Sequence, residues 1–235
     1  MNHVSRRSDH STPLFWKRTV SAQLHALGSI AMIAGAFYLL PLARRAGAEH
    51  LGACVAFLVT GIAVFSVSSL YHFLTDGYEG SEKLHVFFEN LDHFAIYLFI
   101  AGTYTPFLIN AVSAPWQVPL LVGIWLIAIL GISYTWFKPR LPTILQSRGV
   151  YTFIFVAMGC TLVVRMGEIY SHLNAMKLEL LAGGALAYVL GAVCYATRRP
   201  KLFEGFFGFH ELWHVMVLTG AGLHYLLILS FYGGF

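Results

Sequence analysis

Residues 117–137 read QVPLLVGIWLIAILGISYTWF, 21 residues without a single charge. A bilayer core is about 30 Å thick, and a helix of roughly 20 apolar residues crosses it. This run predicts a membrane-spanning helix. Working outward from it, six further runs read the same way: 20–43, 50–73, 88–111, 149–166, 178–197 and 210–231. The stretch 149–166 is the shortest of them. Charged or turn-prone segments separate the runs, at 44–45, 75–83, 113–115, 138–147, 167–177 and 198–204. The expectation is an all-α membrane protein, a seven-transmembrane helix bundle.

Composition agrees. The chain has 235 residues, 57% of them hydrophobic and 11% charged, with a mean hydropathy of +0.68. A soluble domain carries about a quarter charged residues, so an ordinary soluble enzyme, a disordered chain and a secreted disulfide scaffold are all excluded. The net charge of +4 does not point to nucleic acid, because the 15 Lys and Arg are spread between apolar blocks rather than clustered on one face. Cys54, Cys160 and Cys194 stand singly inside apolar runs. They read as small lipid- or core-facing residues, not as ligands or a disulfide framework.

Basic residues decide orientation, because cytoplasmic loops hold the excess. With the N-terminus inside, the cytoplasmic side holds Arg6, Arg7, Lys17, Arg18, Lys83, Lys138, Arg140, Arg148, Arg198, Arg199 and Lys201, 11 in all. The other side holds four, Arg44, Arg45, Arg165 and Lys177. The expectation is therefore a cytoplasmic N-terminus and a C-terminus outside. Residues 1–18 read as a polar cytoplasmic tail and 19–235 as the membrane domain. The first apolar run exceeds 20 residues and ends in Arg44-Arg45, which suits an uncleaved span better than a signal peptide.

Ionisable groups inside spans are costly and face a cavity or a partner. The second run ends Ser66-Val67-Ser68-Ser69-Leu70-Tyr71-His72, and the third opens Glu89-Asn90-Leu91-Asp92-His93. The seventh opens His210-Glu211-Leu212-Trp213-His214, and the first carries His25 near its cytoplasmic end. His210 and His214 are four apart, so they stack on one helical face and both imidazoles can reach one metal. Ser68 and His72 share that spacing. The alternating direction of the spans brings all these residues within about two turns of the cytoplasmic face. Three histidines with an open fourth position form the ligand set of a catalytic zinc site. His93 projects about 100° from Asp92 on its helix and reads as packing or interfacial. His85 reads as a loop residue. His224, 14 residues past His210, lies about 21 Å along the axis and cannot share the metal.

Two bases are open to such a site. HELWH at 210–214 matches HExxH, in which the glutamate serves as general base; that would be Glu211. Alternatively Asp92 orients the water and Glu211 merely sits near the membrane surface.

The stretches SSLYH at 68–72, LDHFAIYLFIAGTYTPF at 91–107 and GFHELWHVMVLTGAGLHY at 208–225 together resemble the haemolysin III family. That family belongs to the progestin and adipoQ receptor superfamily, which is related to the alkaline ceramidases. The resemblance covers essentially the whole membrane region. It implies Zn2+ bound by His72, His210 and His214, with Asp92 holding the water that the metal activates; Ser68 matches the family's serine, and its hydroxyl is expected to help the zinc stabilise the tetrahedral oxyanion. On that ground Asp92 is preferred to Glu211 as the base. The chemistry implied is hydrolysis of a lipid amide, ceramidase-like, with a membrane lipid as substrate or ligand. Two other classes stay open: a non-enzymatic sensor of lipid state with a structural zinc, and a transporter using Asp92 and the histidines as a relay.

Overall fold

A backbone in hydrocarbon has no water to bond, so each apolar run satisfies its own amides by coiling into a helix. The structure, a computed structural model, describes residues 14–75, 81–203 and 207–233. Its helices are α1 (Leu14–Ala46), α2 (Ala48–Thr75), α3 (Glu82–Ala111), α4 (Ala114–Phe137), α5 (Arg148–Gly159), α6 (Met166–His172), α7 (Ala175–Thr197) and α8 (Phe209–Ser230). Seven crossings are long and apolar enough to span a membrane, the fifth running Arg148–His172 through α5 and α6 together. Among the described residues the only β pairing is an isolated bridge between Phe203 and Phe207. The chain is a multi-pass membrane protein of seven helical spans.

The helices outrun the apolar runs that announce them. α3 begins at Glu82, after an extended Ser81, because a carboxylate in the first turn suits the positive end of the helix dipole. His85 therefore lies on exposed helix, not in a loop as its polar setting suggested. α1 likewise begins at Leu14, inside the stretch read as a tail; residues 1–13, like 234–235 at the other end, lie outside the described residues. Between α1 and α2 the chain reverses through Gly47 alone, at φ +126°, a backbone state that a side chain would strain.

The fifth crossing is longer than the 149–166 run and is interrupted. After Gly159 a 3-10 stretch, Thr161–Arg165, precedes α6. The backbone groups freed at the break find partners from α3. The Tyr104 hydroxyl donates to the Gly159 carbonyl at 2.6 Å and receives the Thr161 hydroxyl at 3.0 Å. The Leu162 amide also donates to it, at 3.4 Å. A break at membrane depth is tolerated where neighbouring helices supply such partners.

α3 is the central helix: most of its apolar stretch is buried, whereas most of the fourth, fifth and sixth crossings is exposed. It divides two apolar cores. One joins α3 to α4 and to the fifth crossing, around Tyr97, Leu108, Ala128 and Met158. The other joins it to α1, α2 and α8, around Leu39, Phe57, Phe65 and Ile228. Helices in lipid approach through small residues, and Gly102 shows why: a Cβ there would collide with the Thr60 side chain of α2. α1 packs on α2 and α8, and α7 packs on α8 and α5. This order brings the last turn of α2 and the first turns of α3 and α8 to the end of the bundle where α1 begins.

Candidate metal centre

The three histidines converge. Among the described residues one group of side chains could hold a metal ion: His72, His210 and His214, with one ligand nitrogen from each, all within 4.8 Å of one another. His72 ends α2, while His210 and His214 occupy successive turns at the start of α8. Ring centroids are 5.0 Å apart for His72 and His210, 4.7 Å for His72 and His214, and 4.5 Å for His210 and His214. Nitrogen ligands about 2.0–2.1 Å from a tetrahedral zinc stand about 3.3–3.4 Å apart. Nε2 of His72 and Nε2 of His210 are 3.4 Å apart. Both ring nitrogens of His214 are buried without a hydrogen-bond partner. Buried polar groups are normally paired, and a metal is a partner for the lone pair of one of these nitrogens. The donor set and its spacing therefore fit a zinc ion.

The residues around the triad divide by what they bond. Ser66 and Ser69 knit α2 to α1, through the Ser29 hydroxyl at 2.7 Å and the Ala22 carbonyl at 2.8 Å. Ser68, between them, is buried and interacts with the Asp92 carboxylate. Asp92 Oδ1 is buried with no hydrogen-bond partner. Glu211 is buried, and its Oε2 accepts the Gly208 amide at 2.8 Å, satisfying one orphan donor at the head of α8. His93 packs its ring on Tyr151 at 4.6 Å. Tyr195 of α7 flanks His210 at 5.8 Å and carries the Arg148 guanidinium on its face at 4.4 Å.

From this end a cavity of about 140 Å³ runs into the bundle. Ser68, Asp92, His25 and His214 line it at one end; most of the remaining wall is apolar, from Ile96, Phe99 and Ile100 of α3 through Val156 of α5 to Val189 of α7 and Val217 of α8. His224 and Tyr188 line it as well, and His224 follows His214 by ten residues, about 15 Å along α8. His224 Nε2 lies 3.3 Å from the Leu181 carbonyl, and a Cβ on Gly184 would collide with its ring. It is far from the triad, as its position in the sequence requires.

Two features of the site depend on contacts between helices. His25 was conspicuous as a histidine in an apolar run, but its place beside His214, at 4.1 Å between ring centroids, depends on α1 packing against α8. Tyr104 carried no signal, because its role is to serve a helix break on another span.

Comparison with known proteins finds relatives that match most of the chain. The profile of the family described as haemolysin-III related matches residues 15–225. "Hemolysin-3" of Bacillus cereus is 31% identical over 231 residues, 97% of this chain and 97% of its own length. "Monocyte to macrophage differentiation factor" of Homo sapiens is 26% identical over 235 residues, covering 97% of this chain and 90% of its own. "Adiponectin receptor protein" of Drosophila melanogaster is 28% identical over 218 residues, 86% of this chain but 47% of its own.

Proposed function

From the premise that this chain belongs to the haemolysin-III related family, we propose that it is a zinc-dependent hydrolase of lipid amides, with its site at the cytoplasmic end of the bundle. The observation that carries the reading is the convergence of an imidazole triad with an unpartnered carboxylate oxygen at the head of an apolar cavity. Cytoplasmic placement follows from the 11-to-4 division of basic residues.

His72, His210 and His214 would hold the ion. Zinc, when bound, supplies a Lewis acid and an acidified water. Asp92 takes the proton from the attacking water as its oxygen bonds to the acyl carbon, and returns it to nitrogen as the C–N bond breaks. The products are a fatty acid and an amine. Ser68, against the Asp92 carboxylate, orients it. Glu211 is occupied with the Gly208 amide, which favours Asp92 as the base. The apolar walls suit an acyl chain, and a lipid amide entering from the bilayer would bring one.

A second reading has one observation in its favour: a relative whose printed name is that of a receptor. In it the same cavity binds a lipid without turning it over, and zinc is structural. The transporter reading is weaker, because paired broken helices are the usual device and among the described residues the fifth crossing is the one divided between two α-helices. The test is to purify the full chain, measure zinc, and assay release of fatty acid from N-palmitoyl sphingosine before and after chelation. Activity that disappears with zinc and returns with it is expected. Lipid binding with no release, with or without zinc, would favour the receptor reading.

A further inference from the structure

α1 brings a fourth imidazole to the triad. His25 is 4% exposed, and neither of its ring nitrogens has a hydrogen-bond partner. Its ring meets that of His214 edge-on at 4.1 Å and that of Phe65 at 5.4 Å, and lies 6.5 Å from His72. It stands outside the group whose nitrogens can share one ion. It lines the cavity together with Ser68, Asp92 and His214.

A neutral imidazole presents one N–H and one lone pair whichever tautomer it adopts, and a buried polar group without a partner calls for an explanation. Here the unpartnered groups are gathered: His25 from α1, Asp92 Oδ1 from α3 and His214 from α8. The ion accounts for one nitrogen of His214. The others meet at the polar end of a cavity whose walls are otherwise mostly apolar, so their partner arrives with whatever fills that cavity. Their chemistry sorts what each receives. A carboxylate accepts and does not donate, so Asp92 faces the water or the amide N–H. An acyl oxygen needs a donor. The Ser68 hydroxyl is engaged with Asp92, and the N–H of a ligated His214 points away from the ion across its own ring, which leaves the His25 N–H as the donor for an acyl oxygen at that end.

We propose that His25 is a ligand-contacting residue whose N–H donates to the acyl oxygen of the lipid in the cavity, a step that rests on the lipid-amide hydrolase reading. The same hydrogen bond holds the carbonyl of the amide before cleavage and the carboxylate of the fatty acid after it. Packing against Phe65 and His214 fixes the ring, so the donor is in place before the substrate arrives.

The experiment uses the full-length, zinc-loaded protein in nanodiscs, with palmitic acid as binding probe and N-palmitoyl sphingosine as substrate. His25→Phe removes the donor and keeps a ring; His25→Gln restores an N–H donor. Where the Phe variant fails to accumulate, His25→Met, flexible and without a polar hydrogen, replaces it. Wild-type zinc content is expected in each. Palmitate affinity should fall at least about tenfold in the donor-less variant, and kcat by about 10²–10³-fold, the usual loss on removing one such donor. His25→Gln should recover part of both. Unchanged palmitate affinity in the donor-less variant would overturn the inference, and so would loss of its zinc, which would make His25 a support of the metal instead. If the wild type hydrolyses nothing yet binds palmitate in a His25-dependent way, the hydrolase reading fails and the His25 contact stands.

Discussion

Adding one methyl group at Gly184 tests whether the cavity measures an acyl chain. Gly184 of α7 lies against His224 of α8 so closely that a Cβ would overlap Cδ2 and Nε2 of the ring. Carbon atoms settle about 3.5–4.0 Å apart, so Gly184→Ala requires the imidazole to withdraw by about 1 Å or more. The ring also lines the cavity, and withdrawal from α7 carries it into that space. A cavity of about 140 Å³ has little room to give. The loss is worth about one methylene of ligand, and one methylene in an apolar pocket changes kcat/KM by roughly 10–200-fold. The triad is about 15 Å away along α8, so zinc should remain. The assay compares kcat/KM for N-acyl sphingosines of graded chain length at equal zinc. The longest well-used chain should lose at least about tenfold, and shorter chains should be spared. An unchanged chain-length profile in a folded, zinc-loaded variant would refute the assignment of this cavity to the acyl chain.

Four other outcomes are expected. His72→Ala, His210→Ala and His214→Ala should each sharply lower bound zinc measured by elemental analysis, whereas His224→Ala should keep it; equal loss from His224→Ala would show the ligands to be misassigned. Glu211→Gln should leave most hydrolysis intact, because its carboxylate is spent on the Gly208 amide, and lower the melting temperature by an amount corresponding to about 1 kcal/mol or less; abolished turnover would make Glu211 the base. Tyr104→Phe removes the donor to Gly159 and should destabilise the protein by about 0.6–1.7 kcal/mol, the range for side-chain hydrogen bonds in membranes; an unaltered thermal unfolding curve in detergent would show the break at residue 159 to be supported otherwise. A reporter fused after Phe235 should report from the non-cytoplasmic side, and a cytoplasmic signal would reverse the proposed orientation.

The seven crossings were readable because lipid imposes a length and an apolar composition on each, and the histidine triad because four-residue spacing puts His210 and His214 on one face while alternating helix direction sets His72 at the same depth. What the sequence does not show lies mostly between helices. The interruption after Gly159 has its partners on Tyr104, 55 residues earlier, which local pattern does not encode. The start of α3 at Glu82 reflects helix extending beyond the apolar run that hydropathy detects. Glu211 inside HELWH has the spacing of a catalytic base, and its engagement with Gly208 depends on how the chain enters α8. His25 was visible as an oddity in an apolar helix, but only the packing of α1 on α8 gives it His214 as a neighbour.

The most direct test of the central claim compares wild type with Asp92→Asn at equal zinc content, following fatty acid release from N-palmitoyl sphingosine. The asparagine keeps the size of the side chain but cannot take a proton from water. Zinc should be retained, binding of the lipid largely kept, and kcat reduced by about 10²–10⁴-fold, the contribution of a positioned general base. Wild-type turnover in Asp92→Asn, or no turnover by the zinc-loaded wild type, would contradict the account.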